Sequence, residues 1–91
     1  MKVLVRVFGD ISQVIGKRHT IEIPEGSTFT TLAKRLGEQS GQPQGYLGEF
    51  KIGSRDLSVL VNGRSIEILK GVSTTLNDGD EVVIMQPTAG G

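Results

Sequence analysis

Hydrophobic and polar positions alternate along several short stretches of the chain and recur at helical spacing in one. From Lys2 to Phe8, Val3, Val5 and Val7 share one face and Lys2, Leu4, Arg6 and Phe8 share the other, the period of a strand with one buried side. The β-branched valines suit a pleated surface and mark the core face. Phe8 then falls on the Arg6 face. It either curls over the edge of the sheet or belongs to a docking patch. His19 to Ile23 alternates again with Ile21 and Ile23 inward, after Gly16-Lys17-Arg18, which resembles a hairpin turn; Ile11 to Ile15 reads as a turn or short loop. Leu57 to Val61 is a third strand. Asn62-Gly63 follows, a pair that tolerates positive φ at both turn positions, and Arg64 to Ile68 reads as a short returning strand. After a connector at 70–76, Asn77-Asp78-Gly79-Asp80 turns the chain into Glu81 to Met85, where Val82 and Ile84 alternate with Val83 and Met85.

The helical stretch begins after Pro24-Glu25-Gly26. Phe29, Leu32, Ala33 and Leu36 recur at i, i+3, i+4 and i+7, one face of a helix. Ser27 or Thr28 is expected to cap it through a hydroxyl, and Gly37 to stop it. Lys34 and Arg35 then lie near its C-terminus, where cations suit the helix dipole; they read as a solvated face. The stretch 38–56 is rich in loop-forming glycines, with Pro43 among them. Its Tyr46, Leu47, Phe50 and Ile52 require packing, so a short helix or an extended cover over one end of the core is expected.

One long apolar helix face needs one sheet face against it. The economical arrangement is α+β: a β-grasp, ubiquitin-like fold, with a mixed four- to five-stranded sheet packed on one main helix. The first hairpin and the last strand are expected in the middle of the sheet, with first and last strands adjacent and parallel. Residues 1–86 form the domain, and 87–91 are expected to be a flexible tail.

Composition narrows the function. Ninety-one residues make one domain with a small core, too small to enclose a buried catalytic array easily. Ten basic and ten acidic residues give zero formal net charge, which argues against nucleic acid, whose phosphates call for clustered positive charge. The absence of cysteine removes disulfides and thiolate metal sites and suits the cytoplasm. His19, the single histidine, reads as an exposed strand residue without a catalytic role, and no metal site or bound cofactor is expected. Gly41 to Gly48 lacks the strand–glycine–helix context of a phosphate-binding loop. Arg6 breaks the apolar run at the N-terminus, so Met1 to Val7 is a strand rather than a signal peptide, and no apolar stretch is long enough for a membrane.

What remains is the end of the chain. Leu76-Asn77-Asp78-Gly79-Asp80-Glu81-Val82-Val83-Ile84, then Pro87-Thr88-Ala89-Gly90-Gly91, resembles the terminus of the MoaD/ThiS sulfur-carrier family, ubiquitin-like proteins. The molybdopterin synthase small subunit and the archaeal MoaD-like small modifiers are its nearest members in pattern. Val59-Leu60-Val61-Asn62-Gly63 resembles the family's Val-Asn-Gly hairpin, and Phe8 followed by Val14-Ile15-Gly16 resembles its opening. The order of elements matches over the whole chain, least well at 38–56.

The resemblance implies a carrier rather than an enzyme. Gly91 is the covalent carrier site. Glycines lack Cβ, so Gly90 and Gly91 can thread a narrow channel. An E1-like adenylating enzyme, consuming ATP, then activates the carboxylate, and a sulfur donor leaves a thiocarboxylate for a molybdopterin synthase large subunit. Alternatively, a target-protein lysine attacks the activated carbonyl, as for a protein modifier. A third reading is a non-covalent β-grasp binding module. Pro87 lacks an N–H donor and ends the strand, while Thr88 and Ala89 add reach. With the valines inward, Phe8, Val83 and Met85 lie on the opposite face and are expected, with Pro87, Thr88 and Ala89, to meet the partner; otherwise the loop 38–56 folds over them.

Overall fold

The computed structural model describes residues 1–9, 11–41 and 57–85. In chain order these form β1 (Lys2–Phe8), α1 (Ile11–Ile15), β2 (Arg18–Glu22), α2 (Phe29–Gln39), β3 (Ser58–Val61), β4 (Arg64–Ser65), two single 3₁₀ turns (Ile66–Ile68 and Gly71–Ser73) and β5 (Glu81–Met85). The five strands make one mixed sheet in the order β2-β1-β5-β3-β4. β1 pairs antiparallel with β2 and parallel with β5, and β5 pairs antiparallel with β3. The first and last strands are thus neighbours, and β5 lies in the centre. β2 does not join them in the middle. It is an edge strand, and α1 stands at Ile11–Ile15, where a turn or short loop was expected.

One face of this sheet is covered by α2. Val3, Val5, Val7, Ile21, Val59, Val82 and Ile84 meet Phe29, Leu32 and Leu36 in a single buried cluster, with Ala33 packed at its margin. The alternation of β1, buried at each odd position and exposed at each even one, follows from covering one side only. Five residues of α1 are too few to show a helical period, yet Ile11 and Ile15 are both buried in the core. The returning strand after Asn62-Gly63 is shorter than its sequence suggests. Only Arg64 and Ser65 pair with β3; Ile66–Ile68 then coil into a 3₁₀ turn that drops Ile66 into the core. Asn62 and Gly63 have φ of 51° and 84°, as a type I′ hairpin requires.

The helix termini differ from expectation in a consistent way. Thr28 is the N-cap residue, but no side chain caps the helix. Thr28 pairs with Thr75 as an isolated β-bridge, and the Phe29 N–H donates to the Thr74 carbonyl at 3.0 Å, so backbone does the work of a hydroxyl. The Ser27 hydroxyl turns back to donate to the Pro24 carbonyl at 2.6 Å. At the other end the helix runs through a buried Gly37, a local cost of about 1 kcal/mol relative to alanine. It stops at Gly41, whose φ is +76°. Lys34 and Arg35 therefore lie in mid-helix, away from the last turn, and have no end dipole to complement. Gly41 rather than Gly37 supplies the left-handed residue that ends a helix. No helix among the described residues is long and apolar enough to cross a membrane.

Candidate functional site: the open sheet face at the root of the tail

Strand β5 carries the chain toward Gly91, and its position is secured at its start. Asp78 accepts the Lys2 N–H at 2.7 Å through Oδ1, and the Gly79 N–H donates to the Lys2 carbonyl at 2.8 Å. Asp80 accepts the Asn77 N–H on Oδ2 at 2.8 Å and the Asn62 amide on Oδ1 at 2.9 Å. Asn62 in turn accepts the Glu81 N–H on Oδ1 at 3.0 Å, while its own backbone N–H donates to the Glu81 carbonyl at 2.8 Å. The Val-Asn-Gly hairpin and the Asp-Gly-Asp turn are thus two halves of one hydrogen-bonded clasp. Each accepting carboxylate oxygen makes a charge-assisted bond. The clasp fixes where β5 begins, and so its register against β1 and β3.

Register decides what is presented on the face that α2 does not cover. Phe8 stands beside Met85, Arg6 beside Val83 and Leu4 beside Glu81; across β5, Leu60 stands beside Val83 and Ser58 beside Met85. Phe8 is 50% exposed, Leu4 48% and Met85 37%, and Val83 and Leu60 are half-buried. The predicted trio is therefore brought together: Phe8 and Met85 side by side where β5 ends, Val83 in the row behind. β1 lies inside the sheet, so Phe8 does not curl over an edge. Leu4 and Leu60 extend the patch and were missed, although Leu4 shares the alternation that exposed Phe8. Pro87, Thr88, Ala89, Gly90 and Gly91 lie outside the described residues, as does the part of the loop at 42–56 that was a possible cover for this face.

His19 also differs from expectation. It pairs with Val5, a core-face residue, so its ring lies on the helix side of the sheet and is half-buried. Its Nε2 donates to the Ile15 carbonyl, which also accepts the Ser40 hydroxyl at 3.1 Å. The Ile15 carbonyl, shared by His19 and Ser40, links α1 to β2 and to the end of α2. Among the described residues no group of three or more His, Cys, Asp or Glu could hold a metal ion.

A mixed sheet with parallel first and last strands, closed over one helix, defines a β-grasp, ubiquitin-like protein. The ThiS family model matches residues 5–91, and the chain belongs to that family of ubiquitin-like carrier and modifier proteins. It is 29% identical over 92 residues, all of both chains, to small archaeal modifier protein 3 of Haloferax volcanii. A candidate molybdopterin converting factor subunit 1 from Pyrococcus furiosus superposes with a TM-score of 0.74 at 26% identity, over 97% of this chain and 99% of that one. A second similar structure, from a complex of subunits 1 and 2 of molybdopterin-converting factor of Helicobacter pylori, gives 0.62 at 24% identity over the whole of both chains.

Proposed function

We propose that the chain is a sulfur carrier whose Gly91 carboxylate is adenylylated by an E1-like enzyme and converted to a thiocarboxylate, for use by a molybdopterin synthase large subunit. A carboxylate oxygen of Gly91 attacks the α-phosphorus of ATP and pyrophosphate leaves. A sulfur nucleophile then attacks the acyl-adenylate carbonyl and AMP leaves. The chain supplies the electrophile and its presentation; the partner supplies the catalysis. The observation that carries this reading is the family match, which runs through Gly91 itself. The end of β5 is consistent with it: the central strand finishes at Met85 beside the exposed Phe8, six positions before Gly91. The 26% identity to a candidate converting-factor subunit supports the molybdopterin assignment.

A second reading rests on the 29% identity to a small archaeal modifier: the same activated carbonyl is attacked by a lysine amine of a target protein, forming an isopeptide bond. The two share the adenylation step and part at the nucleophile. Deletion of Gly91 abolishes the covalent product in either case and leaves folding intact; a product surviving the deletion would sink both. Digestion of total protein then separates them. A C-terminal remnant of this chain on lysine marks the modifier, and a thiocarboxylate on the free chain marks the carrier.

A further inference from the structure

The two edges of the sheet differ. β4 offers two residues before the chain coils into a 3₁₀ turn, while β2 runs for five, Arg18–Glu22, in unbroken register with β1. The Ile23 N–H donates to the Met1 carbonyl at 3.0 Å, and the Met1 amino group donates to the Ile23 carbonyl at 2.8 Å. Met1 and Ile23 thus form a hydrogen-bonded pair, and along an antiparallel ladder such pairs alternate with pairs that exchange no bonds. Ile21 and His19 therefore bond Val3 and Val5 through their backbone groups, and Arg18, Thr20 and Glu22 turn their N–H and C=O groups outward. No strand among the described residues lies beyond β2 to meet them. A row of outward backbone groups is a template for another strand. Edges are commonly blunted by a proline, a bulge or an inward-pointing charge, and β2 has no proline or bulge and buries no charge between Arg18 and Glu22. The side chains of Arg18, Thr20 and Glu22 are all exposed, on the face of the sheet that α2 does not cover.

We propose that β2 pairs antiparallel with β2 of a second copy of this chain, about a two-fold axis at Thr20, joining two sheets into one. The charges on this edge are self-complementary, since Arg18 and Glu22 stand at equal distance on either side of Thr20. In this register Thr20 meets the second copy's Thr20, and Arg18 meets the second copy's Glu22 at both ends. Opposite charges directly across an antiparallel pair stabilise it and like charges oppose it. All five residues of each strand are matched, and the outward backbone groups satisfy one another. Other registers lose this. An axis at Arg18 sets arginine against arginine, and one at Glu22 sets glutamate against glutamate. An axis at His19 leaves Arg18 opposite Thr20, and one at Ile21 puts Arg18 opposite Pro24, which has no N–H to give. The pairing also relieves the free chain. Arg18 has Arg6 across the ladder on its β1 side, and the carboxylate that lines a groove with both, Glu81, belongs to β5, two strands from β2. Glu22 faces Lys2, so the charges across the join run arginine, arginine, glutamate, lysine. The contact is isologous, so it closes at two copies and does not propagate. It leaves β5 of each copy two strands from the join. Five residues a side are fewer than the roughly 20–30 of a stable interface, so the dimer is weak and depends on concentration.

The test is sedimentation equilibrium of the full-length chain at low salt, from micromolar to millimolar concentration. The wild type is expected to pass from monomer to dimer over that range, and the dimer to weaken as salt is added. Arg18→Glu and Glu22→Arg each set like charges against one another at both ends of the join, and each is expected to raise the dimer dissociation constant about tenfold or more. Mixing the two variants in equal amounts restores opposite charges at both ends, and most of the lost affinity is expected to return. A variant that had merely failed to fold would not be rescued by mixing. The chain has no cysteine, so Thr20→Cys adds a single thiol. Across the axis its Cα lies about 5.5 Å from its counterpart, within the span of a disulfide. Mild oxidation is expected to link Thr20→Cys far faster than Gln13→Cys, which sits exposed on α1. A wild type that stays monomeric at millimolar concentration would overturn the proposal and leave the edge to an extended segment of a different protein. A dimer indifferent to both charge reversals, or a loss that mixing does not repair, would put the contact elsewhere and overturn it too. The outcome is independent of the chemistry at Gly91, so the carrier reading stands or falls separately.

Discussion

β1 and β5 each present two faces, and comparing them separates the part of this chain that forms the core from the part left exposed on the sheet. On the covered face, Val3, Val5, Val7, Val82 and Ile84 are at most 2% exposed. On the open face, in the same two strands and at alternating positions, Phe8, Leu4 and Met85 are 50, 48 and 37% exposed. The covered face is wholly aliphatic, whereas the open face mixes Leu4, Phe8, Val83 and Met85 with the charged Lys2, Arg6 and Glu81. α2 is amphipathic and covers the first face. Apolar groups on the other side gain nothing comparable from folding. Their exposure beside the end of β5 supports the proposed docking face.

The comparison breaks most visibly on the covered side. Ile84→Ala removes a fully buried side chain from the central strand and is expected to cost about 2–5 kcal/mol, a large share of the stability of a small domain. Urea denaturation would show it as a lower midpoint; a loss under 1 kcal/mol would mean that β5 is not the core strand described. The clasp at the start of β5 comes next. Asp80→Ala removes acceptors for Asn62 and Asn77 at an exposed site, with an expected loss of about 1 kcal/mol by the same measurement. On the open side, Phe8→Ala is expected to change stability by less than about 1 kcal/mol while weakening the adenylating enzyme's hold on the chain, read as a rise in KM for the carrier. Binding unchanged in Phe8→Ala would remove the open face as an interface. Deleting Gly91 gives the smallest expected stability effect: the melting curve should overlay that of the full chain.

Much of this was legible in the sequence because one physical rule, alternation against a single covering layer, governs β1 and β5. Lys2 to Phe8 and Glu81 to Met85 were readable residue by residue, and with them the parallel pairing and the exposure of Phe8 and Met85. The readings that changed depend on contacts between distant segments. The cap of α2 is a backbone bond to Thr74, 45 positions beyond Phe29, and no local pattern announces it. Gly37 and Gly41 look alike in sequence, yet Gly37 is buried within the helix and Gly41 takes the left-handed φ just past its end. His19 is polar in type and inward in position because it is the register partner of Val5. Ile11, Ile15 and Ile66 lie in elements of three to five residues, shorter than the periods that would reveal them. Arg6 and Arg18, twelve residues apart in sequence, likewise face each other only once β2 is paired. For the tail the order is reversed, since its chemistry is read from Pro87 to Gly91 and the fold contributes its point of departure.

The central claim is that Gly91 is a substrate group for another enzyme. The most direct measurement is the intact mass of the protein isolated from its own cells under sulfur-replete conditions. The account predicts a population heavier by the exchange of one oxygen for sulfur, localised by fragmentation to the C-terminal glycine and absent from the Gly91 deletion. An unmodified terminus under every sulfur condition, with no sulfur on the free chain, would contradict it.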